Sequence, residues 1–161
     1  MRIYIESTIP SYLVARPARD LIQAARQQLT KDWWEFNHAA HELFTSQVVL
    51  DEIAVGEPAM AQLRLESLQA IPLVVVTDAA KELARKVLDS GLLPATADRD
   101  AVHIALASTY NLDILLSWNC RHLANAAIQS RLRRLVESAG FELPVICTPE
   151  ELMENENEQN N

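Results

Sequence analysis

Three acids stand where chemistry could be done. Glu6 directly follows the apolar run Ile3-Tyr4-Ile5, Glu52 follows "LFTS" on an expected helix, and Asp100 opens a helix whose residues 101–107 are apolar except His103. About 45 residues separate them at each step. At roughly 100° per helical residue, Glu52 lies one turn from Val48 and Val49 on a mainly apolar face, whereas Asp51 lies beside Gln47. Glu52 is therefore expected to point inward and Asp51 outward. Asp100 shares its face with Ile104 and Ala107, where a carboxylate is costly unless something pairs with it.

Each acid also has a plainer explanation. Glu6 could cap the turn or helix that follows, and Glu52 could be an ordinary surface acid. Asp98 is explained as an N-cap or first-turn acid favoured by the helix dipole, which keeps it out of the site. Three inward acids without an evident cation partner would repel one another unless a divalent metal neutralises them. Hard oxygen ligands suit Mg²⁺ or Mn²⁺ rather than zinc.

The elements that must position these residues alternate along the chain. Strands are expected at 2–5, 43–46, 72–76, 113–117 and 144–147, with "PLVVV" (72–76) read as buried. One or two helices are expected over 18–42, and single helices over 47–55, 58–70, 78–91, 98–111 and 124–139. Gly91, Asn111 and Gly140 are the expected stops. Alternating strands and helices imply an α/β fold with a mostly parallel sheet between two helical layers, and ligands of such sheets gather at the carboxyl ends of the strands. That edge receives Glu6, and "ILLSWNCRH" adds Ser117, Asn119 and His122 to it.

Composition bounds the function. The 161 residues, 49% hydrophobic, fit one domain, expected over 1–149, followed by an acidic tail over 150–161 expected to be flexible. That tail holds five Glu and no Lys or Arg, so of the net charge of -8 only -3 belongs to residues 1–149, with 17 acids against 14 bases. The overall charge is thus a weak objection to a nucleic-acid partner. Three glycines leave no Gly-rich phosphate loop, which excludes dinucleotide and P-loop readings. No apolar run approaches the roughly 20 residues that span a bilayer, and the start shows no leader pattern, so a cytoplasmic protein is expected. Cys120 and Cys147 are too few for a disulfide framework and are expected to be free thiols.

The pattern resembles the PIN-domain family, metal-dependent ribonucleases that include VapC-type toxins of bacterial toxin–antitoxin pairs. "YIESTIPSYL" looks like the opening acid-plus-hydroxyl motif, "SQVVLDEI" like the second-acid helix and "DAVHIALA" like the third-acid helix. "ILLSWNCRHL" looks like the strand and turn that normally bring a fourth acid, and "VICTPEEL" closes the domain.

The resemblance implies that Glu6, Glu52 and Asp100 are the metal-site acids, with Ser7 and Ser117 hydrogen-bonding within the site. It departs at Glu6, commonly an Asp, and at Asn119, where many members carry a fourth Asp. Three formal charges instead of four put a tightly held second metal in doubt. The implied activity is Mg²⁺- or Mn²⁺-dependent hydrolysis of an RNA phosphodiester by in-line attack of water. Glu6 and Asp100 would bind the ion, Glu52 would hold its waters or act as base, and Asn119 would orient water or a second ion. A cognate antitoxin and a homodimer are the implied partners.

Other readings stay open. His103 could flank the pocket and hydrogen-bond a ligand acid, or be a satisfied core histidine. His122 could contact RNA, or be a surface turn residue. Of Trp33 and Trp34, one is expected in the core, while the other could stack on bases or serve a protein interface. A PIN-like binding module with a decayed site is the competing function. A different α/β metal-dependent phosphohydrolase is disfavoured, because Ser-Thr-Ile follows Glu6 where a nucleophilic Asp-x-Asp would be needed.

Overall fold

The structure, a computed structural model, describes residues 1–153. Its strands are β1 (Arg2–Ile5), β2 (Glu42–Ser46), β3 (Leu73–Val74), β4 (Ile114–Leu116) and β5 (Val145–Cys147). They form one sheet in the order β3-β2-β1-β4-β5, and every pairing is parallel. Tyr4 lies opposite Phe44 on one side and Leu115 on the other, and Ile5 lies opposite Leu116. The segments leaving β1 and β4 therefore emerge side by side. Strands covered on both faces cannot alternate polar with apolar residues, which is why "IYI" and "ILL" read as continuous runs.

The helices are α1 (Thr8–Val14), α2 (Leu21–Phe36), α3 (Gln47–Ile53), α4 (Pro58–Leu68), α5 (Asp78–Asp89), α6 (Asp98–Thr109) and α7 (Ala126–Ser138). α1 packs against α2 and α4, while α5 packs against α6 and α7. The α/β architecture expected from the alternation is the one observed. α6 is buried along most of its length, from Ala101 and His103 through Ser108, and it packs on α5 and β4.

Three expectations are corrected. Helix α1 is not among the expected helices, although a turn or a helix was left open after Glu6; Pro10 falls in the first helical turn, where its missing N–H has no intrahelical partner to lose. The helix expected over 18–42 starts only after Asp20, whose side chain caps the N–H of Gln23, and it ends at Phe36 before a 3-10 turn at His38–Ala40. "PLVVV" is not a buried strand: β3 is two residues long at the sheet edge, with Val74 buried but Leu73 and Val75 exposed. Beyond it the Tyr110 hydroxyl donates to the carbonyl of Val75 and accepts its N–H, so a side chain replaces the missing ladder.

Trp33 is fully buried and Trp34 partly so, stacked on His38. Both cysteines are free, Cys120 exposed and Cys147 buried. At the end of the chain Thr148 and Glu151 exchange side-chain and backbone hydrogen bonds as a capping box. Residues 149–153 are helical and Leu152 is buried, so this part of the expected tail is joined to the core. Residues 154–161 lie outside the described residues. Among the described residues no helix is long and apolar enough to cross a membrane.

Candidate functional site

Parallel strands send all their carboxyl ends to one edge, and the segments leaving β1, β2 and β4 bring their polar residues there. Glu6 is 3% exposed and takes four hydrogen bonds. Oε1 accepts from the Ser7 hydroxyl at 2.7 Å; Oε2 accepts from the Thr8 N–H at 3.0 Å, the Thr8 hydroxyl at 2.5 Å and the Ser117 hydroxyl at 2.8 Å. The plainer explanation is therefore partly right, since Glu6 does cap the start of α1. The two hydroxyls also accept N–H groups from the β4 loop: Trp118 bonds Thr8 Oγ1 at 2.8 Å and Asn119 bonds Ser117 Oγ at 2.9 Å. One carboxylate thereby fastens the β1 and β4 loops together.

Glu52 is reached from β2 through α3, whose N-cap is Ser46. Its side chain is 17% exposed, and Oε2 lies 3.0 Å from His103 Nε2. Burial alone would raise this carboxyl. The hydrogen bond and charge of His103, the Ser7 hydroxyl and the Arg99 guanidinium outweigh it and hold Glu52 below the usual carboxylate range. Ser7 thus serves both Glu6 and Glu52, although a hydroxyl has one proton to give. Arg99 corrects the expectation that no cation adjoins the acids: it immediately precedes Asp100, and its guanidinium lies 3.9 Å from Glu52 Oε1. Asp51 is exposed and bonded to Gln47, as its helical position requires.

Asp100, in the first turn of α6, faces the β4 loop. Oδ1 accepts from Asn119 Nδ2 at 3.1 Å and Oδ2 lies 2.7 Å from His122 Nδ1. Burial raises its carboxyl above the ordinary value, against the hydrogen bond from His122 and the positive influence of His103 and His122, with the charge of Glu6 adding to the rise. Asn119 is held at both ends of its amide: the oxygen accepts the His122 N–H at 3.2 Å and the nitrogen serves Asp100.

The tightest group is not the expected trio of acids. One ligand atom each from Glu6, Glu52 and His103 lies within 4.8 Å of the other two. Asp100 is outside that group, drawn toward Asn119 and His122, and joins Glu6 through the chain Asn119–Ser117. His103 has both ring nitrogens engaged, Nδ1 with the Tyr4 hydroxyl at 2.9 Å and Nε2 with Glu52, which makes it a satisfied core histidine that also touches a site acid. Glu6 and Glu52 offer hard oxygen donors, and the single Ser7 proton between the two carboxylates leaves charge that a divalent cation would neutralise. The residues present therefore fit a divalent cation.

No protein-family model matches the sequence, and no curated protein is recovered as a relative. A solved structure does match: one chain in the crystal structure of VapBC2 from Rickettsia felis bound to a DNA fragment from their promoter, with a TM-score of 0.60 and 13% identity. The match covers 92% of this chain and 98% of that one. The chain has a PIN-like fold. At this identity the likeness concerns the path of the backbone, and the PIN-like sheet edge is where all the residues above reside.

Several members of the site were not singled out in the sequence. Thr8 could have been, since a hydroxyl two residues beyond a strand-end acid is placed for local side-chain bonding. Tyr4 left a signal too, because a phenol in an aliphatic strand needs a buried partner. Arg99 left one as well, standing next to Asp100 in the chain, whereas Ser46 left none, as its role depends on which strands are neighbours.

Proposed function

We propose that this chain is a Mg²⁺- or Mn²⁺-dependent endoribonuclease of the PIN type, acting as the toxin of a toxin–antitoxin pair. The observation that carries the reading is the closeness of Glu6, Glu52 and His103 at the carboxyl edge of a PIN-like sheet, with Asp100 linked to Glu6 through Asn119 and Ser117. The neighbour's assembly as VapBC2 on promoter DNA supports an antitoxin partner. RNA as substrate, a homodimer and a cytoplasmic location belong to the same proposal.

Glu6 and Asp100 would hold the cation, with Glu52 beside them. Bound there, the ion supplies Lewis-acid stabilisation of charge on the phosphate and leaving oxygen. Ser7, Thr8 and Ser117 fix the Glu6 carboxylate, and Asn119 and His122 fix that of Asp100. Glu52, held ionised, suits charge neutralisation better than proton uptake. Arg99, half exposed at the rim, is placed to meet an incoming phosphate.

A second reading has one specific observation in its favour: Glu6 already accepts four hydrogen bonds, as a retained structural carboxylate in a binding module would. The deciding experiment incubates antitoxin-free protein with a varied panel of single-stranded RNAs in millimolar Mn²⁺ or Mg²⁺ and follows growth on expression. Cleavage that is abolished by EDTA and by Asp100→Asn is the expected result. Intact RNA together with unimpaired growth would overturn the nuclease reading and leave the binding module.

A further inference from the structure

Behind Glu52 runs a closed circuit of hydrogen bonds that metal binding does not itself require. Ser46, at the end of β2, accepts the N–H of Val49 at 3.4 Å and so caps α3, the helix that carries Glu52. Ser46 Oγ lies 2.7 Å from the Tyr4 hydroxyl, the hydroxyl lies 2.9 Å from His103 Nδ1, and His103 Nε2 lies 3.0 Å from Glu52 Oε2. Tyr4, Ser46 and His103 are all 0% exposed, so no solvent completes the bonds in their place. The circuit links β1, the β2–α3 corner and α6, and returns to the helix from which it began.

Counting protons leaves one ordering for a neutral imidazole. An ionised carboxylate only accepts, so Nε2–H donates to Glu52 and Nδ1 must accept. Tyr4 then donates to Nδ1, Ser46 donates to Tyr4, and the Val49 N–H donates to Ser46. Each member has its proton assigned by the next. Without the Tyr4 hydroxyl, Nδ1 would be a buried acceptor with no donor in this circuit, and the ring would keep only its Nε2–H bond to Glu52 to set its orientation.

We propose that Tyr4 is a positioning residue, which through His103 fixes the Glu52 carboxylate for a divalent cation and so sets the cation affinity of the site. The inference rests on the reading of this edge as a metal centre. It assigns a function to a strand residue that touches neither ion nor substrate.

The test uses the full chain, with Mn²⁺ alone as the probe, and compares wild type with Tyr4→Phe, which removes one oxygen and keeps the ring. Thermal melts establish that each protein folds, nitrogen-15 spectra of the histidine rings report the His103 tautomer, and electron paramagnetic resonance titration gives the Mn²⁺ affinity. Wild type is expected to show His103 protonated at Nε2. Tyr4→Phe is expected to leave Nδ1 without a donor, moving its nitrogen-15 resonance toward that of an unbonded ring nitrogen, and to bind Mn²⁺ about tenfold more weakly, the usual effect of losing a group that orients a ligand. His103→Gln, whose amide can still donate toward Glu52, is expected to keep more affinity than His103→Ala, and this pair carries the test should Tyr4→Phe fail to fold. Folded Tyr4→Phe with wild-type Mn²⁺ affinity would overturn the positioning role while leaving the nuclease reading untouched. A wild type that binds no Mn²⁺ and cuts no RNA would overturn both, and is told apart because the defect is then present before any substitution.

Discussion

Asn119 Nδ2 donates to Asp100 Oδ1 at 3.1 Å. The chain thus places a neutral hydrogen-bond donor against the Asp100 carboxylate. Asn119→Asp exchanges that donor for a like charge facing a carboxylate, which costs stability without a cation and repays it with one. The substitution should lower the melting temperature in EDTA and enlarge the rise produced by Mn²⁺, because a ligand bound by the folded state alone stabilises it. Melting curves with and without Mn²⁺ check both signs; an unchanged Mn²⁺ shift would show that position 119 lies beyond the ion's reach.

The metal-free protein should show a distinctive pH dependence through Asp100. Its carboxyl is raised from the ordinary value of 3.8, chiefly by burial. The folded state then binds the extra proton, so the contribution is favourable at low pH and is lost as pH rises through the interval above 3.8. Asp100→Asn removes this loss. In EDTA, urea denaturation of the variant relative to wild type should improve as pH rises above 3.8, and the Mn²⁺ shift should shrink.

Glu52 should behave oppositely. Its carboxyl is lowered from 4.5, so its contribution is present above that value and is lost as pH falls through the lower folded-state value. Glu52→Gln should cost about 1.5–3 kcal/mol at pH 7, the range for a hydrogen bond to a charged group, and progressively less in acid. Denaturation midpoints at pH 7 and in the acid limb, measured without metal, separate the two acids by sign.

Thr8 Oγ1 donates to Glu6 and accepts the Trp118 N–H, joining the β1 and β4 loops. Thr8→Val keeps the shape and strands both partners, which should cost about 1–3 kcal/mol. Thr8→Ser should recover most of it. Equal stability of the Val variant would mean that the loops are held by other contacts.

The two thiols should differ sharply in reactivity. Burial, with Glu151 nearby, pushes Cys147 up to about 12, whereas Cys120 is exposed next to Asn119. A disulfide reagent at pH 8 should titrate one fast thiol in the folded chain and two in urea. Slowing of the fast thiol by bound RNA would report occupancy of the β4 loop.

Much of the scaffold was legible in the chain itself, because it rests on local physics. Apolar runs such as "IYI" and "ILL", helical periodicity around Ala101–Leu106, and stops at Gly91, Asn111 and Gly140 are properties of neighbouring residues. They gave the alternation, the parallel sheet and the inward faces of Glu52 and Asp100. The edge character of β3 was not legible, since "PLVVV" looks the same whether or not another strand lies beyond it.

The sequence by itself determined which acids reach the carboxyl edge, because strand ends and helix faces follow from the period of the chain. Only the tertiary structure decided what those acids meet there. Arg99 against Glu52, His122 and Asn119 on Asp100, Ser117 on Glu6, and the Ser46–Tyr4–His103 circuit all join residues brought together by the order β3-β2-β1-β4-β5. Hydrogen-bond partners are fixed by distances of about 3 Å, and contacts this short between segments up to 111 residues apart are set by packing, which no local pattern encodes.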